Sequence, residues 1–270
     1  IGMSTDLDGF GVGTAQSFDY FIPGTPFVGW YAGYKVAGTA TTGRNYNVSN
    51  SSANTDMPTT VSDTSSGNML SATATSTLGS TLQIEQRIQF GVDDPFFRVT
   101  ITLKNVSSGS IDNARYMWIV DPDNVEDIGG ATHFTTIDTI LNTFAAGDGK
   151  AIVQAETLST APVQAKLVVY SSDSRARSSR GLTFAPPSAN IYSDASIYDS
   201  APAKGSSATA DRAIAMTWDV GTLTAGQSTT FRFFINLSAE DIATIEAKIL
   251  ASLTPSITTD TGSSSTDRLT

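Results

Sequence analysis

The chain has 270 residues, a formal net charge of -10 and a sequence pI near 4.4. This charge argues against a nucleic-acid partner, because basic side chains supply most of the affinity for phosphates, and it argues equally against docking on anionic lipid. The sequence contains no cysteine and no apolar stretch of transmembrane length, so we expect no membrane insertion and a core large enough to fold without disulfides.

The first eighty residues give the weakest secondary-structure signals. The first forty are rich in glycine and aromatic residues, which is typical of loops and short strands that pack aromatic rings onto a core. Residues 41–80 consist mostly of Thr, Ser, Asn and Gly. We interpret this second stretch as short polar strands separated by exposed turns.

The clearest pattern lies between residues 82 and 120. Apolar and polar side chains alternate from Leu82 to Phe90 and again from Phe97 to Leu103, which predicts two half-buried strands. The segment Ala114–Val120 is apolar at nearly every position, as expected for a central strand covered on both faces. Because short polar turns separate these three segments, we expect a three-stranded antiparallel meander.

Further strands are predicted over Ala165–Ser171, Ala213–Val220 and Thr229–Leu237, and a weaker helical or loop segment over Thr135–Phe144. A C-terminal helix follows Ser238, a residue type that caps helices, with Glu240 and Asp241 in its first turn. Apolar residues continue at helical spacing, namely Ile242, Ile245, Ile249 and Leu250.

These elements predict an all-β fold, a large antiparallel β-sandwich of a size that includes supersandwich folds, with one C-terminal helix. We expect residues 1–253 to form a single domain and residues 254–270 to form a linker. Since no signal peptide precedes Ile1, we also expect the chain to be a segment of a longer protein.

Two segments resemble parts of large bacterial surface proteins. The tail Asp260-Thr-Gly-Ser-Ser-Ser-Thr-Asp267 is similar to the segment that opens immunoglobulin-like repeats in giant adhesins of the RTX and Bap type. The segment Asn113–Asn124 resembles an Arg-Tyr/Phe-Met-x-x-x-Asp-Pro-Asp stretch of large secreted proteins with cadherin-like and RTX-type repeats. The resemblance implies a large β-sandwich among tandem repeats, exported by a Gram-negative bacterium and stiffened by calcium, with residues 254–270 as the linker or the start of a following Ig-like repeat.

An acidic segment directly after the predicted central strand is the best candidate metal site. Like charges this close repel one another unless a cation or solvent relieves them, and calcium prefers carboxylate and amide oxygens. The calcium ligands predicted here are Asp121, Asp123, Asn124, Glu126 and Asp127. A solvated acidic turn is the alternative. Asp93 and Asp94 are expected at the same sheet edge, because alternate strands of a meander run parallel.

Other polar clusters give weaker indications of a site. Asp6 and Asp8 have the look of a calcium loop, but an Asx turn before a strand is the favoured interpretation. His133 is the only histidine, so a zinc site of the usual kind is excluded and a catalytic role is not expected. The basic segment Arg175–Arg180 is interpreted as a solvated loop, with an anionic glycan, the acidic loops or a neighbouring module as other partners.

We therefore predict a non-enzymatic structural or adhesive module of an exported protein, located outside the cell or on its surface. Its expected partners are neighbouring domains of the same chain, together with glycans or further copies of itself. Three alternatives remain open at this stage: a carbohydrate-binding module, a carbohydrate-active enzyme of mutarotase-like supersandwich fold, and a self-assembling sheath or filament subunit.

Overall fold

The computed structural model describes residues 4–6, 17–19, 27–48, 52–91, 94, 96–123, 135–161, 164–183, 191–237 and 242–253. Over these residues the protein is almost entirely β-structure, with strands that pair antiparallel throughout. In chain order they are β1 (Ser4–Asp6), β2 (Ser17–Asp19), β3 (Phe27–Val36), β4 (Thr39–Val48), β5 (Ser52–Thr55), β6 (Thr59–Asp63), β7 (Met69–Leu78), β8 (Leu82–Gly91), β9 (Phe96–Asn105), β10 (Asp112–Asp121), β11 (Thr136–Asn142), β12 (Ala151–Thr157), β13 (Lys166–Ser171), β14 (Ala176–Leu182), β15 (Ser207–Ala210), β16 (Ala213–Asp219) and β17 (Ser228–Asn236).

Two large sheets form the sandwich. One has six strands in the order β14-β16-β10-β3-β4-β5, and the other has nine in the order β15-β11-β12-β13-β17-β9-β8-β7-β6. Strands β1 and β2 pair separately as a small two-stranded sheet. The predicted fold class, a large antiparallel β-sandwich, is therefore confirmed.

The main core lies between the two large sheets and is rich in aromatic side chains. Trp218 of the six-stranded sheet stacks on Phe231 of the nine-stranded sheet, with ring centroids 4.7 Å apart. Tyr116 is fully buried between the same sheets, and its hydroxyl donates a hydrogen bond of 2.7 Å to Gln86 Oε1. Such contacts explain how Gln86, a polar residue on the apolar side of β8, is accommodated without loss of hydrogen bonding.

A second apolar layer covers the outer face of the six-stranded sheet. Met117 and Ile119 of β10 point away from the main core and pack in a cluster with Ile191 and Ile197 from the segment before β15. Both faces of β10 are therefore buried, as its continuous apolar sequence predicted.

The predicted meander is correct for β8 and β9, which pair antiparallel, and wrong for β10. Strand β10 instead enters the six-stranded sheet between β3 and β16, and β17 takes the place beside β9. The physical reason is burial: after Phe96, the outer face of β9 is polar and carries residues such as Thr100 and Lys104. A strand that is apolar on both faces fits better in the six-stranded sheet, where the second apolar layer covers Met117 and Ile119.

Three local interpretations also change. The polar residues 41–80 form long strands, β4 and β7, as well as short ones. The segment Thr135–Phe144 is mainly strand β11 followed by a 3-10 turn, because its buried residues alternate. The basic segment Arg175–Arg180 belongs largely to edge strand β14 and is not a solvated loop. The strands predicted at Ala165–Ser171, Ala213–Val220 and Thr229–Leu237 are confirmed as β13, β16 and β17.

The predicted C-terminal helix is confirmed as α1, Ile242–Leu253. It belongs to a second compact unit, Glu240–Thr270, whereas Ile1–Ala239 form the first. The expected capping residues Ser238, Glu240 and Asp241 lie outside the described residues, as do residues 254–270. In the described part of the chain, no helix has both the length and the apolar character needed to cross a membrane.

Candidate metal site

Three aspartates converge where β10 ends and β16 begins. Val120 pairs with Ile214 across these antiparallel strands, so the residues just after β10 meet those just before β16. As a result, the carboxylates of Asp121, Asp123 and Asp211 place one oxygen each within 4.8 Å of one another. Two of these side chains are almost completely buried: Asp121 and Asp123 are each only 2% exposed.

Burial makes this carboxylate group costly to ionise. It raises the pKa of Asp121 to about 8, and the charges of Asp211 and Asp138 act in the same direction, opposed by Arg212. Burial also raises the pKa of Asp211, again opposed by Arg212. The shifts have the sign expected for carboxylates that are both desolvated and close to one another.

A fourth aspartate lies beside this group. Asp138 is on β11, which pairs with β15, and the register sets Thr136 opposite Ala210, the residue before Asp211. The Asp138 side chain is fully buried, and its Oδ1 accepts a hydrogen bond of 2.8 Å from Thr136 Oγ1. Its Oδ2, in contrast, is buried without a hydrogen-bond partner among the described residues. Burial raises the pKa of Asp138 to about 7, against the hydrogen bond from Thr136 and the charge of Arg180.

The donor set matches the chemistry of a hard divalent cation. Calcium binds oxygen ligands at roughly 2.3–2.6 Å, so two ligands of one ion lie no more than about 5 Å apart. The spacing of at most 4.8 Å among the three carboxylates satisfies this limit. An ion there would need further oxygens from backbone carbonyls or water, since calcium takes about six to eight ligands.

The structure brings together only some of the ligands predicted from the sequence. Asp121 and Asp123 lie in the cluster. Asn124, Glu126 and Asp127 lie outside the described residues. The sequence interpretation missed Asp211 and Asp138, because both are distant along the chain and come close only through the β10–β16 and β11–β15 pairings.

The remaining sequence candidates do not join this cluster within the described residues. The Asp94 carboxylate accepts a hydrogen bond of 2.9 Å from the backbone N–H of Gly91 and closes the turn after β8. For Asp6 the structure gives only its place in β1. Asp8, Asp93 and His133 lie outside the described residues.

The arginines of the basic segment Arg175–Arg180 contact other groups of the protein rather than forming a free positive patch. Arg175 forms an ion pair with Asp173, in which the Nη2–Oδ2 distance is 2.6 Å. Arg177 donates hydrogen bonds to the backbone carbonyls of Ser174 and Ala176. Arg180 Nε donates to Ser206 Oγ over 3.0 Å.

A different charged group occupies the opposite end of β10. The side chain of Arg115 is buried and forms ion pairs with Asp219 at 2.8 Å and Asp199 at 2.7 Å. Its guanidinium also lies over the rings of Tyr192 and Tyr198, at 4.9 and 4.7 Å from their centroids. These contacts attach the segment that carries Tyr192 and Tyr198 to the outer face of the six-stranded sheet.

Comparisons with known proteins add little to this geometry. No protein-family model and no curated protein matches the sequence. Among solved structures, a proposed aldose 1-epimerase from Klebsiella pneumoniae is similar over 68% of this chain and 54% of that protein, with 10% identity and a TM-score of 0.30. A galactose mutarotase related enzyme from Lactobacillus acidophilus is similar over 77% and 78%, with 7% identity and a TM-score of 0.33. At these values neither likeness carries an activity over to this chain.

Proposed function

We propose that this chain is a non-enzymatic structural or adhesive module of a large exported bacterial surface protein, and that bound calcium stabilises it. The observation that supports calcium binding is the convergence of three carboxylates from two strand ends. The placement in a surface protein follows from the resemblance of Asp260–Asp267 and Asn113–Asn124 to segments of repeat adhesins.

The position of the carboxylates explains why an ion would stabilise the fold. Asp121 is the last residue of β10 and Asp123 follows it, whereas Asp211 precedes β16, so one ion bound by all three would join two strand ends. It would also offset the repulsion between buried carboxylates, which otherwise opposes folding. The buried and unpartnered Oδ2 of Asp138 is a second, independent sign that a cation belongs near this place.

The proposal is tested by thermal unfolding of the full chain during a calcium titration after treatment with a chelator. An ion that binds only the native state raises stability by about 2.7 kcal/mol when its free concentration is a hundred times Kd. We expect the melting temperature to rise with calcium in the wild-type chain and to stay constant in Asp211→Asn.

Asp112→Asn is the matched control, because Asp112 is an exposed aspartate at the opposite end of the same strand. Its side chain accepts a hydrogen bond from Thr222 Oγ1, which an asparagine oxygen can also accept. This variant should keep the full calcium response. A wild-type chain with no response to calcium, or equal responses in Asp211→Asn and Asp112→Asn, would disprove the assigned site.

A further inference from the structure

A cleft of about 400 Å³ opens at the edge of the sandwich, and none of the clustered aspartates is among its lining residues. Its walls come from edge strand β14, the start of β12, the 3-10 turn Phe144–Ala146 and the segment Tyr198–Lys204. Half of its fourteen lining residues are alanine or proline, and these small side chains leave the space open. The volume is within the range of small-molecule sites in proteins, roughly 300–1,000 Å³.

One wall of the cleft carries a hydroxyl group with an unused hydrogen-bonding capacity. Ser178 lines the cleft, is only 2% exposed, and its Oγ has no hydrogen-bond partner among the described residues. An unsatisfied buried hydroxyl costs roughly 1–3 kcal/mol. A ligand that hydrogen-bonds to Ser178 would remove that cost, so the hydroxyl points to an occupant with polar groups.

Each charged side chain that lines the cleft already has a partner within the protein. Lys204 pairs with Asp148 at 2.6 Å, and Asp199 pairs with Arg115 at 2.7 Å. Arg177 is positioned by hydrogen bonds to two backbone carbonyls. A cleft lined by two cations and one carboxylate, each with a partner in the protein, does not select a ligand of high net charge, but it offers both donors and acceptors.

The alanine side chains of the cleft can pack against the C–H groups of a ligand. Its hydrogen-bond donors and acceptors can bind the hydroxyl groups of the same ligand. The ring of Tyr198 already packs against the guanidinium groups of Arg115 and Arg177, so the apolar contact comes from the alanines. We propose that this cleft binds a neutral monosaccharide, either free or as the terminal unit of a glycan. This site is separate from the aspartate cluster and does not depend on the proposed calcium ion.

Saturation-transfer NMR with the full chain tests the proposal, using D-glucose, D-galactose and D-mannose as probes. We expect transfer to at least one of these sugars and its loss in Ala203→Trp, which fills the cleft from an exposed position on its rim.

The methyl glycoside of the bound sugar distinguishes the two sources, because a site for glycan ends accepts it and a site for the free sugar does not. Stronger transfer to glucuronate or glucosamine would overturn the neutral class.

Ser178→Ala separates ligand binding from structural support. Because the hydroxyl makes no hydrogen bond within the described residues and its burial is costly, we expect a melting temperature equal to or above that of the wild type, together with about five-fold weaker sugar binding. Thr217→Val is the matched control, since Thr217 Oγ1 is likewise buried and unpartnered but does not line the cleft. No transfer to any of the three sugars, equal transfer in Ala203→Trp, or equal weakening by Ser178→Ala and Thr217→Val would refute the site.

Discussion

Charged side chains are buried at both ends of β10, but the groups that surround these charges differ between the two ends. At its start, Arg115 supplies a cation from the chain itself and pairs with Asp219 and Asp199. At its end, Asp121 and Asp123 meet Asp211, so carboxylates are brought together with one another. Both groups join β10 to residues at or next to β16, and they therefore act on the same strand pair.

The comparison shows what each arrangement requires for stability. A buried carboxylate that accepts hydrogen bonds from arginine has its charge balanced as soon as the chain folds. Carboxylates that face one another remain costly until a proton or a cation is added, as the raised pKa of Asp121 indicates. The first end should therefore be insensitive to calcium, whereas we propose that the second depends on it.

The largest effect is expected from Arg115→Met. This substitution keeps much of the side-chain volume but leaves Asp219, whose side chain is only 10% exposed, without its buried partner. Breaking a buried ion pair in this way costs about 3–5 kcal/mol. Urea unfolding at neutral pH measures the loss, and a loss below about 1 kcal/mol would show that the pair is not important for stability.

Asp199→Asn is the control for this substitution. Asp199 contacts the same guanidinium, but its side chain is 54% exposed, so solvent screens its charge. We expect its loss to cost less than about 1 kcal/mol, as for other exposed ion pairs. Neither variant should alter the calcium response of the melting temperature.

The substitution Asp211→Lys should supply a cation from the chain itself at the end of β10, as Arg115 does at its start. Asp211 is only partly buried, so a lysine there can place its ammonium group near Asp121 and Asp123. We expect the variant to be more stable than the wild type by about 1.5–3 kcal/mol in chelator, the usual size of a hydrogen bond to a charged group. It should also lose its calcium response, and a variant that still responds to calcium would contradict the role of Asp211.

Local patterns in the sequence predicted strands far better than they predicted which strands pair. Alternation over Leu82–Phe90 and Phe97–Leu103 identified β8 and β9, and the continuous apolar run Ala114–Val120 identified a strand buried on both faces. The partners of that strand were not predicted, because β3 and β16 are distant in sequence. Proximity along the chain favoured a meander, whereas burial of Met117 and Ile119 required the other sheet.

The same limit applies to the candidate metal site. Asp121 and Asp123 could be proposed because they follow a strand within one short acidic segment. Asp211 stands alone beside Arg212 in the sequence, and Asp138 lies between Ile137 and Thr139 in a segment interpreted as a helix or loop. Only the antiparallel registers bring these two residues to Asp121, and local sequence does not encode those registers.

The smallest effect is expected for the ion pair between Asp173 and Arg175. As at the start of β10, the chain itself supplies both charges, but this pair is more exposed to solvent. Burial raises the pKa of Asp173, but hydrogen bonds from the side chain and backbone of Arg175, together with its charge, outweigh this and leave the pKa below its usual value. A lowered pKa contributes stability above the unfolded-state value of about 3.9, and that contribution disappears as pH falls through the folded-state pKa.

We therefore expect Asp173→Asn to lose up to about 1 kcal/mol at pH 7 and progressively less as the pH falls below about 4. Urea unfolding of both proteins at pH 7 and at several acidic values measures the difference. The gap should close on the acid side, because protonated Asp173 and the asparagine that replaces it are both neutral there. A gap that stays constant would assign the loss to altered turn geometry rather than to the charge of Asp173.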